Sequence, residues 1–419
     1  MVVIGLDIGT QNIRVAVADY EDDGNVKILG VSHVPSDGLS KGVIVSIESA
    51  MNKIREAIDI AEQTCGINIS ECIVSLGGDQ IEGFNSRGQY AVSQNGRPKE
   101  ISKDDVRKVI DVAVAIRIPA DKEKLHVIPQ IYIVDGIGGI KDPVTRLGIR
   151  LEADVHIITT SRTIVQNLQA CVERAGFGLS GLMLKTLAQT YAVAVQDELD
   201  LGSIIIDLGE GSVDVLVVSN GAPIYTGSCP ISCHHITHDI SIITGIPYDE
   251  AERIKIESGC CWPDIIDPNA TVIIPGVGGR APEEISQLEL CEEIIQPRVE
   301  EIFEYVLSLI KQNTTVEELS GNIILTGGGA NMEGIVELCQ EIFNTSSVRI
   351  GIPENLGSTT EEYRSPEWAT AIGLTLCKNK TISRESPAKE KRGFSFNHKK
   401  VNKSSDKENV LVRFMKKFF

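Results

Sequence analysis

The 419-residue chain lacks any apolar run long enough to span a bilayer, which takes roughly 18–20 residues. It opens MVVIGLDIGT, without the basic leading region of an export signal, so secretion is not expected. Its ten cysteines are scattered without the spacing of a disulfide framework, and an unexported chain keeps them as thiols. The default expectation is a cytosolic protein. Cationic surface is also scarce: the net charge is −18, which argues against nucleic acid as a partner. A P-loop or a dinucleotide fingerprint is missing too. Those motifs need strand, turn, helix, whereas VVIGLDIGT reads as a strand and NIRVAVADY follows as another after a short Gly turn.

What is present is a hydrophobic fraction of 42%, enough for two compact domains. Residues 47–65 carry apolar positions at helical spacing, and ECIVSLGG at 71–78 reads as a strand. An internal repeat organises the rest. IGLDIGTQNIRVAV at 4–17 and IIIDLGEGSVDVLVV at 204–218 superpose, with Asp7 on Asp207, Gly9 on Gly209 and Val15 on Val215. Two strand–Asp–Gly–turn–strand hairpins imply two related lobes facing one another. A third turn, ILTGGGANMEGI at 324–335, is expected as strand, Gly turn and then a helix over about Glu333–Phe343.

The expected layout follows from these anchors. A first lobe takes 1–81 and 162–202, and 82–161 is an inserted α+β subdomain with a helix over about Lys103–Ile116 capped at Ser102. The core of a second lobe takes 203–228 and 323–377. Between its parts lies an insertion at 229–322, mostly helical from Asp249 through Ile310. From Lys378 the composition turns to Lys, Ser, Asn and Pro, so 378–404 is expected as a disordered linker before an amphipathic helix at 405–419.

Paired Gly turns on opposed lobes have a chemical use, because successive backbone N–H groups make a concave anion site. The turns Gly9, Thr10, Gln11 and Gly209, Gly211, Ser212 can hold the phosphates of a nucleotide. Asp7 and Asp207 then stand beside a phosphate-bound Mg2+, through waters more often than directly. Gly327, Gly328 and Gly329 let a base and ribose approach the backbone without a Cβ in the way. Glu252 and Lys255 lie three apart on one helix face, able to hydrogen-bond a ribose or purine edge, or else to form an ordinary surface salt bridge. Cys229, Cys233, His234, His235 and His238 lie close together, with Cys260 and Cys261 later, but their spacings do not pair as a zinc site requires.

The order DIGT, DLGEGS, AERIK, TGGGA resembles the actin/Hsp70/sugar-kinase ATPase superfamily. Within it, residues 1–377 resemble the FtsA family of bacterial cell-division proteins. The stretches that carry this are 126–159, HHITHDISIITGIPYDEAERIKIESG at 234–259 and SPEWATAIGLTL at 365–376. The resemblance implies an α/β, actin-like (ribonuclease H-like) two-lobed fold, with the 82–161 block replacing the usual actin subdomain. It implies ATP and Mg2+ in the cleft, filament formation, other division proteins as partners, and the FtsZ C-terminal peptide docked on the second lobe. It places the chain at the cytoplasmic side of the inner membrane, at the division septum. A pilus-assembly scaffold or a small-molecule kinase of the same superfamily are the alternatives.

Three departures from the family pattern bear on turnover. Glu210 interrupts the second phosphate turn, Ser232-Cys233 stands where the family has Gly-Gly, and Lys185-Thr186 stands where related ATPases carry Glu-Pro. That Glu helps to position the attacking water, a main contribution in phosphoryl transfer. ATP binding with weak or absent hydrolysis is the expectation, and no catalytic residue is assigned.

The C-terminal VLVRFMKKFF puts Leu411, Phe414, Met415 and Phe418 on one helical stripe, ending at Phe419, with Arg413, Lys416 and Lys417 opposite. Ser405 to Glu408 resembles a capping box. A basic amphipathic helix with an aromatic face is the pattern of a segment lying in a membrane interface; docking on the protein's own body or on a partner is the other possibility. Residues 378–419 hold 13 Lys or Arg against 4 Asp or Glu, a balance of +9, leaving −27 on the first 377. Membrane lipids are the expected partner of this tail. The short KEKR at 389–392 reads as solvated charge rather than a nucleic-acid patch.

Overall fold

The computed structural model describes residues 1–377 apart from 22–24, 94, 280, 315–321, 355 and 359. The expected linker and amphipathic helix, with Leu411 to Phe419, therefore lie outside the described residues.

Two mixed sheets carry the molecule. The first runs in the order Gly178–Leu184, Glu71–Leu76, Val2–Ile8, Asn12–Tyr20, Val26–Pro35, Gly357–Ser358. The second runs Ala222–Cys229, Val213–Ser219, Ser203–Leu208, Asn322–Thr326, Val348–Ile350. In each, the leading strand of a hairpin pairs antiparallel with its partner on one side and parallel with a later strand on the other. Val, Ile and Leu fill these strands because both faces are covered, and Leu6, Val15, Ile205 and Val215 are fully buried.

The repeat seen in the sequence is a repeat in register. Leu6 pairs with Val15 and Asp7 with Arg14, as Ile206 pairs with Val215 and Asp207 with Asp214. Both turns close the same way, Gly9 N–H donating to Asn12 O and Gly209 N–H to Ser212 O, each at 3.1 Å.

The helix expected at 47–65 spans Ile47–Cys65, from a Ser46 hydroxyl that accepts from Ser49 N–H to a left-handed Gly66. It buries Ile54, Ala57, Ile58 and Ala61, with each large apolar side chain contributing about 1.5–3 kcal/mol. The 82–161 block folds as a sheet of Ile137–Ile140, Lys122–Val134, Arg150–Ser161 and Glu82–Ala91 under the helix Lys103–Val114. That helix stops two residues short of the predicted Ile116, and Ser102 and Asp105 cap each other at its start.

The insertion of the second lobe departs from its expected helical run. Helices Cys233–Thr244, Tyr248–Ser258 and Gln296–Asn313 are present, but a hairpin of Thr271–Ile274 and Glu283–Ser286 interrupts them. Pro263, Pro268 and Pro275 deny the stretch a continuous helical ladder, and the β-branched TVII run suits a strand. The helix expected from Glu333 starts at Ile335, after Gly334 at φ 77°. No helix among the described residues is long and apolar enough to cross a membrane.

Candidate functional site

A cavity of about 490 Å³ lies between the two lobes. All thirteen residues singled out for a nucleotide line it: Asp7, Gly9, Thr10 and Gln11 from the first hairpin, Asp207, Gly209, Gly211 and Ser212 from the second, Glu252 and Lys255, and Gly327, Gly328 and Gly329. The tertiary fold brings together four stretches that span more than three hundred positions of sequence.

The two turns face one another closely. A side chain on Gly211 would meet the Thr10 hydroxyl and stand 3.0 Å from Gly42 N and Lys41 Cα of the opposite lobe. Gln11 reaches across, its Nε2–H donating to Glu252 Oε1 at 2.7 Å. Asp214 does the same in reverse, accepting from Gly78 N–H at 3.1 Å. The third turn sits beside the second because Asn322–Thr326 runs parallel to Ser203–Leu208, pairing Thr326 with Asp207. Gly327 takes φ 82°, and a Cβ there would strike Asp207 Oδ1 and lie 2.8 Å from Leu208 O. Only glycine meets both demands. Around Gly328 nothing lies within 4 Å of such a Cβ, so that stretch of wall is open.

Glu252 and Lys255 are not a surface pair. Lys255 Nζ lies 2.7 Å from Glu252 Oε2 and 2.8 Å from Thr237 Oγ1, with its side chain 9% exposed. Burial opposes its charge, but Glu210, Cys233 and Glu252 outweigh it and raise the ammonium's pKa. Glu210, whose carboxylate threatened the phosphate turn, is taken up by the same helices. It accepts from the Tyr248 hydroxyl and lies 3.4 Å from both Lys255 Nζ and His234 Nδ1. Ser232 and Cys233 close the turn from behind, the Ser232 hydroxyl donating to Glu210 O at 2.7 Å and Cys233 N–H to Gly209 O at 3.2 Å.

At the floor of the cavity stands a cation of the protein's own. Lys185 opens the helix Lys185–Val193 at the end of strand Gly178–Leu184, and its Nζ lies 2.5 Å from Asp207 Oδ2. Burial disfavours the charge, yet Asp207, Asp7 and Asp214 together overcome it and raise the lysine's pKa. Burial pushes the Asp214 carboxyl up, with Lys185 pulling against it. Asp7 Oδ1 accepts from the Ser75 hydroxyl at 2.7 Å, while among the described residues neither Asp207 oxygen has a hydrogen-bond partner, the contact with Lys185 being an ion pair.

Carboxylate oxygens are the right donors for a hydrated Mg2+. Of the two aspartates assigned to it, however, Asp207 already faces an ammonium. Among the described residues no three His, Cys, Asp or Glu side chains converge on a metal position, and the Cys229–His238 stretch is no exception.

Sequence reasoning missed Asp214, Ser75 and Gly77 as cavity residues, and noted Lys185 without its position. Asp214 had a signal, being the one charged residue in the apolar VDVLVV strand. Ser75 and Gly77 had none.

A family profile described as "Cell division protein FtsA" matches residues 204–373, and one described as "SHS2 domain inserted in FTSA" matches 78–159. The cell division protein FtsA of Borreliella burgdorferi is 42% identical over 378 residues, covering 90% of this chain and 91% of that one. That of Escherichia coli K12 is 36% identical over 379 residues, covering 89% of each. Among solved structures, a PilM–PilN type IV pilus biogenesis complex matches with TM-score 0.64 at 14% identity over 90% of this chain and 98% of that one. MreB5 of Spiroplasma citri bound to ADP matches with TM-score 0.53 at 16% identity, covering 90% and 95%. A MamK double helical filament matches with 0.52 at 12%, covering 89% and 98%. At these identities the likeness is one of fold, and the fold is actin-like.

Proposed function

The chain belongs to the FtsA family of cell division proteins, and from that premise we propose that it binds ATP in the interlobe cavity, polymerises, and tethers the FtsZ ring to the inner membrane's cytoplasmic face. The observation that carries this is the convergence of the thirteen predicted residues on one cavity. Gly9 and Gly209 spend their N–H groups on closing the turns, so phosphates are met by the N–H groups further round each one. The third Gly turn and the Glu252–Lys255 helix take the base and ribose. Mg2+, where it accompanies the phosphates, would be held through water by Asp7, since Asp207 faces Lys185. It would supply neutralisation of the phosphate charge.

Polymerisation and membrane binding are linked by number. Each large apolar side chain of the helix expected at 405–419 contributes about 1.5–3 kcal/mol when buried, and each cation near anionic lipid about 1 kcal/mol. Ordering the segment costs roughly 1–2 kcal/mol per residue for backbone alone. The two sides nearly cancel, so one tail holds weakly and many tails on a filament hold firmly. The solved filament and the ADP-bound structure of the same fold support assembly and nucleotide binding as capacities of this architecture.

The test is direct. Titration calorimetry should show ATP binding by the full chain, and an FtsZ C-terminal peptide on beads should retain it. Absence of any adenine-nucleotide binding would remove the proposal's foundation. Retention on a peptide from pilus assembly instead would favour the scaffold alternative.

A further inference from the structure

We propose that Lys185 is a resident cation of the cleft, taking at Asp207 the place a divalent metal would hold and offering its cavity-facing hydrogens to the phosphates of a nucleotide. This rests on the nucleotide reading of the cavity and goes beyond it, because it says in which form the nucleotide is held.

The position is built rather than incidental. Lys185 is the first residue of a helix that begins where a parallel strand ends, the place in α/β sheets where ligands gather. Its stem is pinned, since a Cβ on Gly77 would lie 3.3 Å from Lys185 Cβ and 2.7 Å from Asp214 Oδ2. Its ammonium stands 2.5 Å from Asp207 Oδ2 and 3.6 Å from where a Cβ on Gly209 would be, directly under the second phosphate turn. Asp207 is fully buried and Asp7 and Asp214 nearly so. A buried carboxylate without a partner is costly, and among the described residues Lys185 is the only cation within 4 Å of Asp207.

The side chain is 20% exposed and lines the cavity. A lysine has three donors and no acceptor. It can therefore share its charge between Asp207 and a phosphate oxygen, as a metal would, but it cannot accept a proton from an attacking water. One consequence follows from this residue: the nucleotide is retained with little need of Mg2+.

The experiment is ATP binding by titration calorimetry on the full chain, in excess magnesium and in excess EDTA, for the wild type, K185Q and K185R. For the wild type, the dissociation constant should change by less than about tenfold on removing magnesium, under 1.4 kcal/mol. K185Q should lose at least about a hundredfold in EDTA, and K185R, which keeps the charge but not the compact ammonium, should recover part of that loss. A wild type that needs magnesium by more than tenfold, or a K185Q with the wild-type ratio, overturns the assignment while leaving the nucleotide cleft standing. Binding in neither buffer overturns the cleft reading and this one with it. Should K185Q leave Asp207 an unpaired buried charge that prevents folding, the wild-type ratio alone decides.

Discussion

At the scale of single residues, two positions decide whether the lobes can work together. Gly211 comes so near the opposite backbone that any side chain displaces it, with Gly42 N and Lys41 Cα 3.0 Å from the new Cβ. G211A should therefore hold the lobes apart without disturbing either core. ATP affinity should fall roughly ten- to hundredfold while the unfolding midpoint in urea stays put, and a parallel drop in both would mean the turn serves folding instead. Lys255 is the second position. It holds Glu252 and Glu210 from a nearly buried site, and removing one partner of a buried pair costs about 3–5 kcal/mol. K255M should be destabilised by that order, read by denaturant unfolding, and should lose the Gln11–Glu252 bridge's anchor as well. A neutral effect would show that Glu252 and Glu210 find other partners.

At the scale of elements, the inserted block is tied to the rest through neutral histidines. His126, on strand Lys122–Val134, accepts from Leu184 N–H at 2.9 Å, one residue before Lys185. His156, on the neighbouring strand, donates to Asn85 Oδ1 at 2.7 Å and accepts from the Thr226 hydroxyl of the second lobe at 2.9 Å. Burial pushes their pKa values down, to about 3 and about 4. Both lie below the unfolded value near 6.5, so the unfolded chain takes up protons that the folded chain refuses. The stabilisation is whole above that value and is lost as pH falls through the window below it. Each ring should cost about 2 kcal/mol of stability between pH 7 and pH 5. Urea midpoints across that range should fall for the wild type and fall less for H156Q, and a flat profile would contradict the buried neutral rings. The same scale shows where periodicity misled. The hairpin Thr271–Ile274 with Glu283–Ser286 was hidden inside a stretch that looked helical, because two-residue alternation over four positions is too short to outweigh its helical flanks.

At the scale of the whole molecule, charge is divided between a body of −27 and a C-terminal 42 residues of +9. Anionic lipid attracts only the second, and salt screens that attraction over about 8–10 Å at ordinary ionic strength. Sedimentation with anionic vesicles should rise steeply with protein concentration, weaken in high salt and vanish on deleting 406–419. An isolated subunit that binds as firmly as the assembled one would break the proposed link between polymerisation and membrane binding. Local patterns sufficed for much of this chain. The paired hairpins, the three Gly turns and the helix at 47–65 could be read directly, since each is specified by residues within a few positions of one another. The tertiary structure alone decided that Lys185 meets Asp207, that Asp214 reaches Gly78, and that Glu210 turns to Tyr248 and Lys255. Those partners lie 22 to 136 positions apart in sequence, and no local rule of propensity or spacing selects which buried charge will answer another until the lobes have packed.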